Sequence, residues 1–132
     1  MNPQLFNGDR LKISQSNEYL IGDIIVFSFK ENEYIIHRVV FKEGNIIVCK
    51  GDNSFRLEYI KYENILGKVV QVIRNERVVD LTPLDLKYVD MSYKIGLLAL
   101  NNKNNLRQIL LNNTYKQYYY EYLKVKEHDK NY

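Results

Sequence analysis

Between residues 11 and 81, apolar positions fall in short runs of β-branched and aromatic side chains separated by turn-forming residues. That pattern predicts a compact, mostly-β domain rather than βαβ repeats. The predicted strands cover 11–13, 23–29, 34–41, 46–49, 67–74 and 77–81. Gly8-Asp9, Gly22-Asp23, Glu43-Gly44-Asn45, Gly51-Asp52-Asn53 and Asn75-Glu76 lie between or beside them. Two hairpins are expected, Phe41 into Ile46 and Arg74 into Arg77. If Phe41 faces Ile46, then Arg38 faces Cys49 and His37 faces Lys50, which directs Cys49 away from the His37 side of the sheet.

After Leu81 the character changes. Thr82-Pro83-Leu84-Asp85 joins an N-cap residue, a proline at the first helical position and an acidic residue in the first turn, so a helix is predicted to begin there. A second helical segment is predicted over 104–126, where Leu106, Ile109 and Leu110, then Tyr118, Tyr119, Tyr122 and Leu123, recur at spacings of three and four. The chain therefore divides into a β-rich part at 1–81 and a helical C-terminal extension at 82–132, expected to pack on the same domain. The run Tyr118-Tyr119-Tyr120 reads as part of an amphipathic helix that packs on the sheet or a partner. A base-stacking platform would call for an accompanying basic stripe, which the segment lacks. The charged tail at 124–132 places His128 in solvent.

Composition narrows the function classes. The 132 residues suit one domain, and 45% hydrophobic with 27% charged residues is ordinary for a globular chain. Lys and Arg number 19 against 16 Asp and Glu, a net charge of +3, so neither disorder nor nucleic-acid binding is indicated. A single cysteine excludes an internal disulfide, and without a CxxC or clustered His/Cys set no metal or other cofactor is expected. The longest apolar run, 95–100, is far shorter than the ~20 residues of a spanning helix, so the chain itself is expected to be soluble. Usage skewed toward Asn, Ile, Lys and Tyr, without Trp, fits an AT-rich bacterial genome.

The candidate chemistry lies in an ordered set of short motifs. Met1-Asn2-Pro3 and Gly8-Asp9 are followed by Gly22-Asp23-Ile24-Ile25-Val26-Phe27, His37-Arg38-Val39-Val40, Lys50-Gly51-Asp52-Asn53 and Ile65-Leu66-Gly67-Lys68-Val69-Val70. In this order and spacing they resemble the type I signal peptidases and their relatives in the S24/S26 serine peptidase group. The nearest branch is the Ser/His one, found in endoplasmic reticulum, archaeal and some Gram-positive enzymes. The resemblance covers residues 1–72, and the HRVV and KGDN pair is its most specific part.

The resemblance implies an endopeptidase with a serine nucleophile and a histidine where the better-known bacterial branch has lysine. It also implies a β-rich fold that takes its substrate, an extended segment of a precursor or exported protein, as an added strand. An imidazole titrating near 6.5 can remove a hydroxyl proton at neutral pH, and a carboxylate on its other nitrogen orients it and steadies the imidazolium. His37 matches the base. The carboxylate position falls on Glu58, six residues after Asp52, and Asp52 itself, matching the turn aspartate, is the alternative. A Gly-Asp-Asn sequence is also good turn chemistry without catalysis. Arg38 is expected to serve an ion pair rather than substrate.

The family nucleophile lies in Ser-Met-x-Pro, and Met1-Asn2-Pro3 matches Met-x-Pro, which places the serine immediately before Met1. The expectation is a late start, by annotation, cloning or a shortened gene, that removes the serine together with an upstream membrane anchor. Family members of full length are expected at the membrane. Ser14 and Ser16, the nearest hydroxyls, lack the Met-x-Pro context, and Cys49 is expected to be a buried structural thiol. The second reading is a non-catalytic peptide- or protein-binding module on the same fold; a third, less favoured, is the self-cleaving repressor relatives, which carry a lysine base and an N-terminal DNA-binding domain, features not expected of this chain. Oligomeric state is not specified by any motif.

Overall fold

The computed structural model describes residues 5, 8–52, 54, 56–81 and 85–101. The Met1-Asn2-Pro3 motif, Asn53, the Thr82-Pro83-Leu84 helix start, the helical segment at 104–126 and the tail with His128 lie outside the described residues. In chain order the elements are β1 (Arg10–Ser14), β2 (Ile24–Lys30), β3 (Glu33–Glu43), β4 (Ile46–Lys50), β5 (Leu57–Lys61), a 3-10 turn (Tyr62–Asn64), β6 (Ile65–Arg74), β7 (Arg77–Val79) and the helix α1 (Leu86–Asn101). The strands form one antiparallel sheet in the order β1-β6-β2-β3-β4-β5, with β7 added to β6. The fold of the described residues is thus mainly antiparallel β with one C-terminal helix, the mainly-β architecture expected from the sequence.

Turn chemistry accounts for the hairpins. Arg74 pairs with Arg77 across Asn75 and Glu76, both at positive φ (52° and 64°). That is the two-residue geometry whose twist matches the flanking strands. The β3–β4 hairpin departs from the expected pairing of Phe41 with Ile46. Its turn tightens to Gly44-Asn45, so Glu43 pairs with Ile46 and Phe41 with Val48. That shift by two residues leaves the faces unchanged. A β-bulge between Val39 and Phe41 then slips the register by one, so Val39 pairs with Cys49 and Arg38 with Lys50. Past the bulge every side chain changes partner face, and Cys49 shares the His37 face instead of opposing it.

β5 is absent from the sequence expectation, because Leu57-Glu58-Tyr59-Ile60-Lys61 interleaves polar and apolar residues over only five positions. It forms by pairing with the hydrophobic β4, Cys49 opposite Glu58 and Ile47 opposite Ile60. Both faces of the sheet are covered, which explains the four consecutive buried residues Ile24 to Phe27 of β2. On one face Ile25, Phe27, Val39, Ile47 and Cys49 pack beneath Tyr19. On the other, α1 sits over β3, β4 and β5, with Val89 against Val40 and Val48, and with Tyr93 stacked on Phe41 at 4.7 Å between ring centroids. Each such apolar side chain, fully buried, contributes roughly 1.5–3 kcal/mol before entropy is charged against it.

Candidate active site

Three neighbouring strands supply the site. β3 carries His37, the segment after β4 carries Gly51 and Asp52, and β5 carries Glu58. Because Arg38 pairs with Lys50, the next step along the hairpin sets His37 beside Gly51. A side chain at that position would meet the ring, since a Cβ built on Gly51 lies 3.0 Å from His37 Nε2 and 3.2 Å from Cδ2. Gly51 thus leaves room for the Nε2 and Cδ2 edge of the ring. At its other edge His37 Nδ1 reaches to 3.8 Å from Glu58 Oε1, both side chains being 19% exposed.

The imidazole is held by its surroundings more than by hydrogen bonds. Ile25 is its partner on β2, and Phe27 meets it edge-on at 6.0 Å between centroids. Nδ1 is buried and makes no hydrogen bond among the described residues, the Glu58 oxygen lying just beyond bonding range. Burial lowers the His37 pKa from 6.5 to about 4, helped by the positive charge of the chain's N-terminal amine; Asp52 opposes the shift and the Lys50 ammonium adds to it. At neutral pH the ring is therefore uncharged and has a lone pair to offer.

The two candidate carboxylates have different surroundings. Asp52 is buried and fully engaged: Arg38 Nε donates to Oδ1 at 3.0 Å and Nη2 to Oδ2 at 3.0 Å. Arg38 Nη1 donates in turn to the Gly22 carbonyl at 2.9 Å, tying the turn before β2 to the turn after β4. A two-point guanidinium–carboxylate pair of this kind fixes geometry as well as charge. Of the two candidates, the structure brings Glu58 to His37 and gives Asp52 to Arg38.

Ser14, Ser16 and Cys49, the groups weighed as substitute nucleophiles, are poorly placed for attack. Ser14 pairs with Lys68, Lys68 with Ile25 and Ile25 with His37, so three strand spacings, about 14 Å, separate Ser14 from the ring. Ser16 Oγ is engaged locally, donating to the Glu18 carbonyl at 2.6 Å and accepting from the Glu18 amide at 3.2 Å. Cys49 lies on the His37 face between Val39 and Glu58, but it is fully buried, and burial, aided by the Glu58 charge, pushes its thiol up to about 12. It holds no thiolate at neutral pH.

Sequence reasoning placed Gly51 in the KGDN motif and its turn but assigned it no part at the imidazole. The available sign was its place directly before Asp52, at the end of a strand antiparallel to the one bearing His37. Among the described residues no group of three or more His, Cys, Asp or Glu side chains is placed to hold a metal ion. No helix among them is long and apolar enough to cross a membrane.

Compared with known proteins, the chain is similar to a LexA repressor of Oceanobacillus iheyensis, 37% identical over 73 residues. The alignment covers 54% of this chain and 34% of the repressor, so the chain spans about a third of the length of that relative. No family model and no solved structure matches it. The similarity supports the S24 peptidase superfamily, which includes autoproteolytic serine peptidase domains.

Proposed function

We propose that this chain carries the base and carboxylate of a serine endopeptidase of the S24/S26 kind, with His37 as general base and Glu58 as the group that orients it. The observation that carries this is the approach of His37 Nδ1 to 3.8 Å from Glu58, while Asp52 is held by Arg38. With Nδ1–H turned toward Glu58, Nε2 keeps its lone pair. It takes the proton of a serine hydroxyl as the oxygen bonds to the scissile carbonyl carbon, and returns it to the leaving amine as the C–N bond breaks. Water then cleaves the acyl-serine ester by the same proton route. Glu58 steadies the imidazolium.

The nucleophile in this account is a serine placed directly before Met1, where the Met-x-Pro motif assigns it. The substrate is an extended segment of a precursor or exported protein, as the signal peptidase branch would take it. Similarity to a repressor favours a second form of the same chemistry, in which the segment belongs to the enzyme's own chain. The test is to extend the N-terminus with Gly-x-Ser so that the serine precedes Met1. The extended protein is expected to cleave signal-type precursor peptides, and His37→Ala to abolish cleavage. Cleavage confined to a segment fused to the chain supports the self-cleaving form. A folded, extended protein inert in both formats would replace the peptidase reading with that of a peptide- or protein-binding module on the same sheet.

A further inference from the structure

We propose that Gly96 of α1 and Leu57 of β5 form a latch that positions Glu58 against His37, making Gly96 a positioning residue although it lies on the opposite side of the sheet. This rests on the reading of Glu58 as the orienting carboxylate. β5 closes the sheet path and, among the described residues, pairs only with β4. A strand bonded along one side takes its remaining restraint from the groups that pack on its faces. For β5 those are the core beneath Ile60 on the Glu58 face and, on the opposite face next to Glu58 in sequence, α1 through Leu57, which joins the cluster of Val40, Val48 and Val89.

The contact is unusually close. A Cβ on Gly96 would lie 2.6 Å from Leu57 Cδ2, 2.7 Å from Cγ and 3.3 Å from Cδ1, so no side chain fits there without moving Leu57. Glycine in the middle of a sixteen-residue helix is disfavoured relative to alanine, and here its use is to let the helix backbone seat on Leu57. Leu57 and Glu58 are consecutive in the strand and point to opposite faces. A displacement of Leu57 by the helix is therefore carried by the β5 backbone directly to the carboxylate. Because the Nδ1–Oε1 separation is just beyond hydrogen-bond length, small shifts of β5 decide whether that bond forms.

The consequence is a change in which imidazole nitrogen holds the proton, a property that the Glu58 charge 3.8 Å from Nδ1 biases even without a hydrogen bond in the resting structure and that loss of stability alone does not move. The chain, labelled with 15N-histidine, is measured by NMR at neutral pH, the His37 signals being identified by their absence in His37→Gln. The wild-type ring is expected to carry its proton on Nδ1, and Glu58→Gln to lose that signature. Gly96→Ala is expected to lose it as well. The double variant Gly96→Ala/Leu57→Val, which roughly conserves the volume at the contact, is expected to regain it. Should Gly96→Ala fail to fold, Leu57→Ala, which empties the contact without overfilling it, is expected to show the same loss. A folded Gly96→Ala or Leu57→Ala with the wild-type signature overturns the latch while leaving Glu58 in its role. A wild-type ring protonated on Nε2 overturns the Glu58 reading and the latch with it.

Discussion

Lowering the pH should unfold this domain partly through His37, and by an amount that can be isolated. The folded ring has a pKa of about 4 against an ordinary 6.5, chiefly through burial. Between those values the unfolded chain binds a proton that the folded chain refuses. Stability therefore rises with pH through this window, is fully present above about pH 6.5, and is lost as the pH falls toward 4. The gap corresponds to at most about 3 kcal/mol, and to about 2 once solvent screening at a ring 19% exposed is allowed for. Carboxylates titrate in the same range, so a single profile is not decisive. The informative quantity is the urea-unfolding free energy of the wild type minus that of His37→Gln, which has no group titrating at this position. That difference should shrink by about 1.5 kcal/mol between pH 6.5 and pH 4.5. Parallel profiles for the two proteins would refute the claim that burial suppresses the charged ring.

Gly51→Ala should crowd His37 Nε2 at 3.0 Å and cost about 1–3 kcal/mol, as overpacking does; in the serine-extended protein it should lower kcat more than it raises KM, as steady-state kinetics would show. Asp52→Ala should cost about 3–5 kcal/mol in urea unfolding, because it leaves the buried Arg38 charge without its carboxylate. Glu58→Gln should cost less than about 1 kcal/mol of stability, since the Glu58 carboxylate makes no hydrogen bond to the ring in the resting structure, yet it should remove most peptidase turnover. Cys49 should resist iodoacetamide in the folded protein at pH 8 and react once urea unfolds the chain, which mass spectrometry would read directly.

What could be read from the sequence follows from how local the cause is. The strands β2, β3, β4 and β6 announce themselves by β-branched runs, and the β6–β7 hairpin by the Asn75-Glu76 turn. The bulge at Val40 leaves no such mark: one added residue in a continuous apolar stretch changes neither composition nor period, but it decides which face Cys49 occupies. β5 was invisible because its short alternating sequence becomes a strand only against β4. At the site, His37 and Glu58 were named by motif resemblance, whereas the separate use of Asp52 depends on Arg38, fourteen positions away, and on the Gly22 carbonyl. Gly51 had meaning only once the imidazole was seen lying against it.

The most direct test of the central claim is the rate at which a fluorophosphonate labels a serine placed immediately before Met1, followed from pH 4 to pH 8. Labelling should occur at that serine, rise with a midpoint below the ordinary 6.5 of an imidazole, since burial is the largest cause of the lowering and survives the extension, level off by neutrality, and vanish in His37→Ala. The chain without the added serine should remain unlabelled. Labelling that persists in His37→Ala, or a folded serine-extended protein that takes up no probe at any pH, would contradict the assignment of His37 as the base.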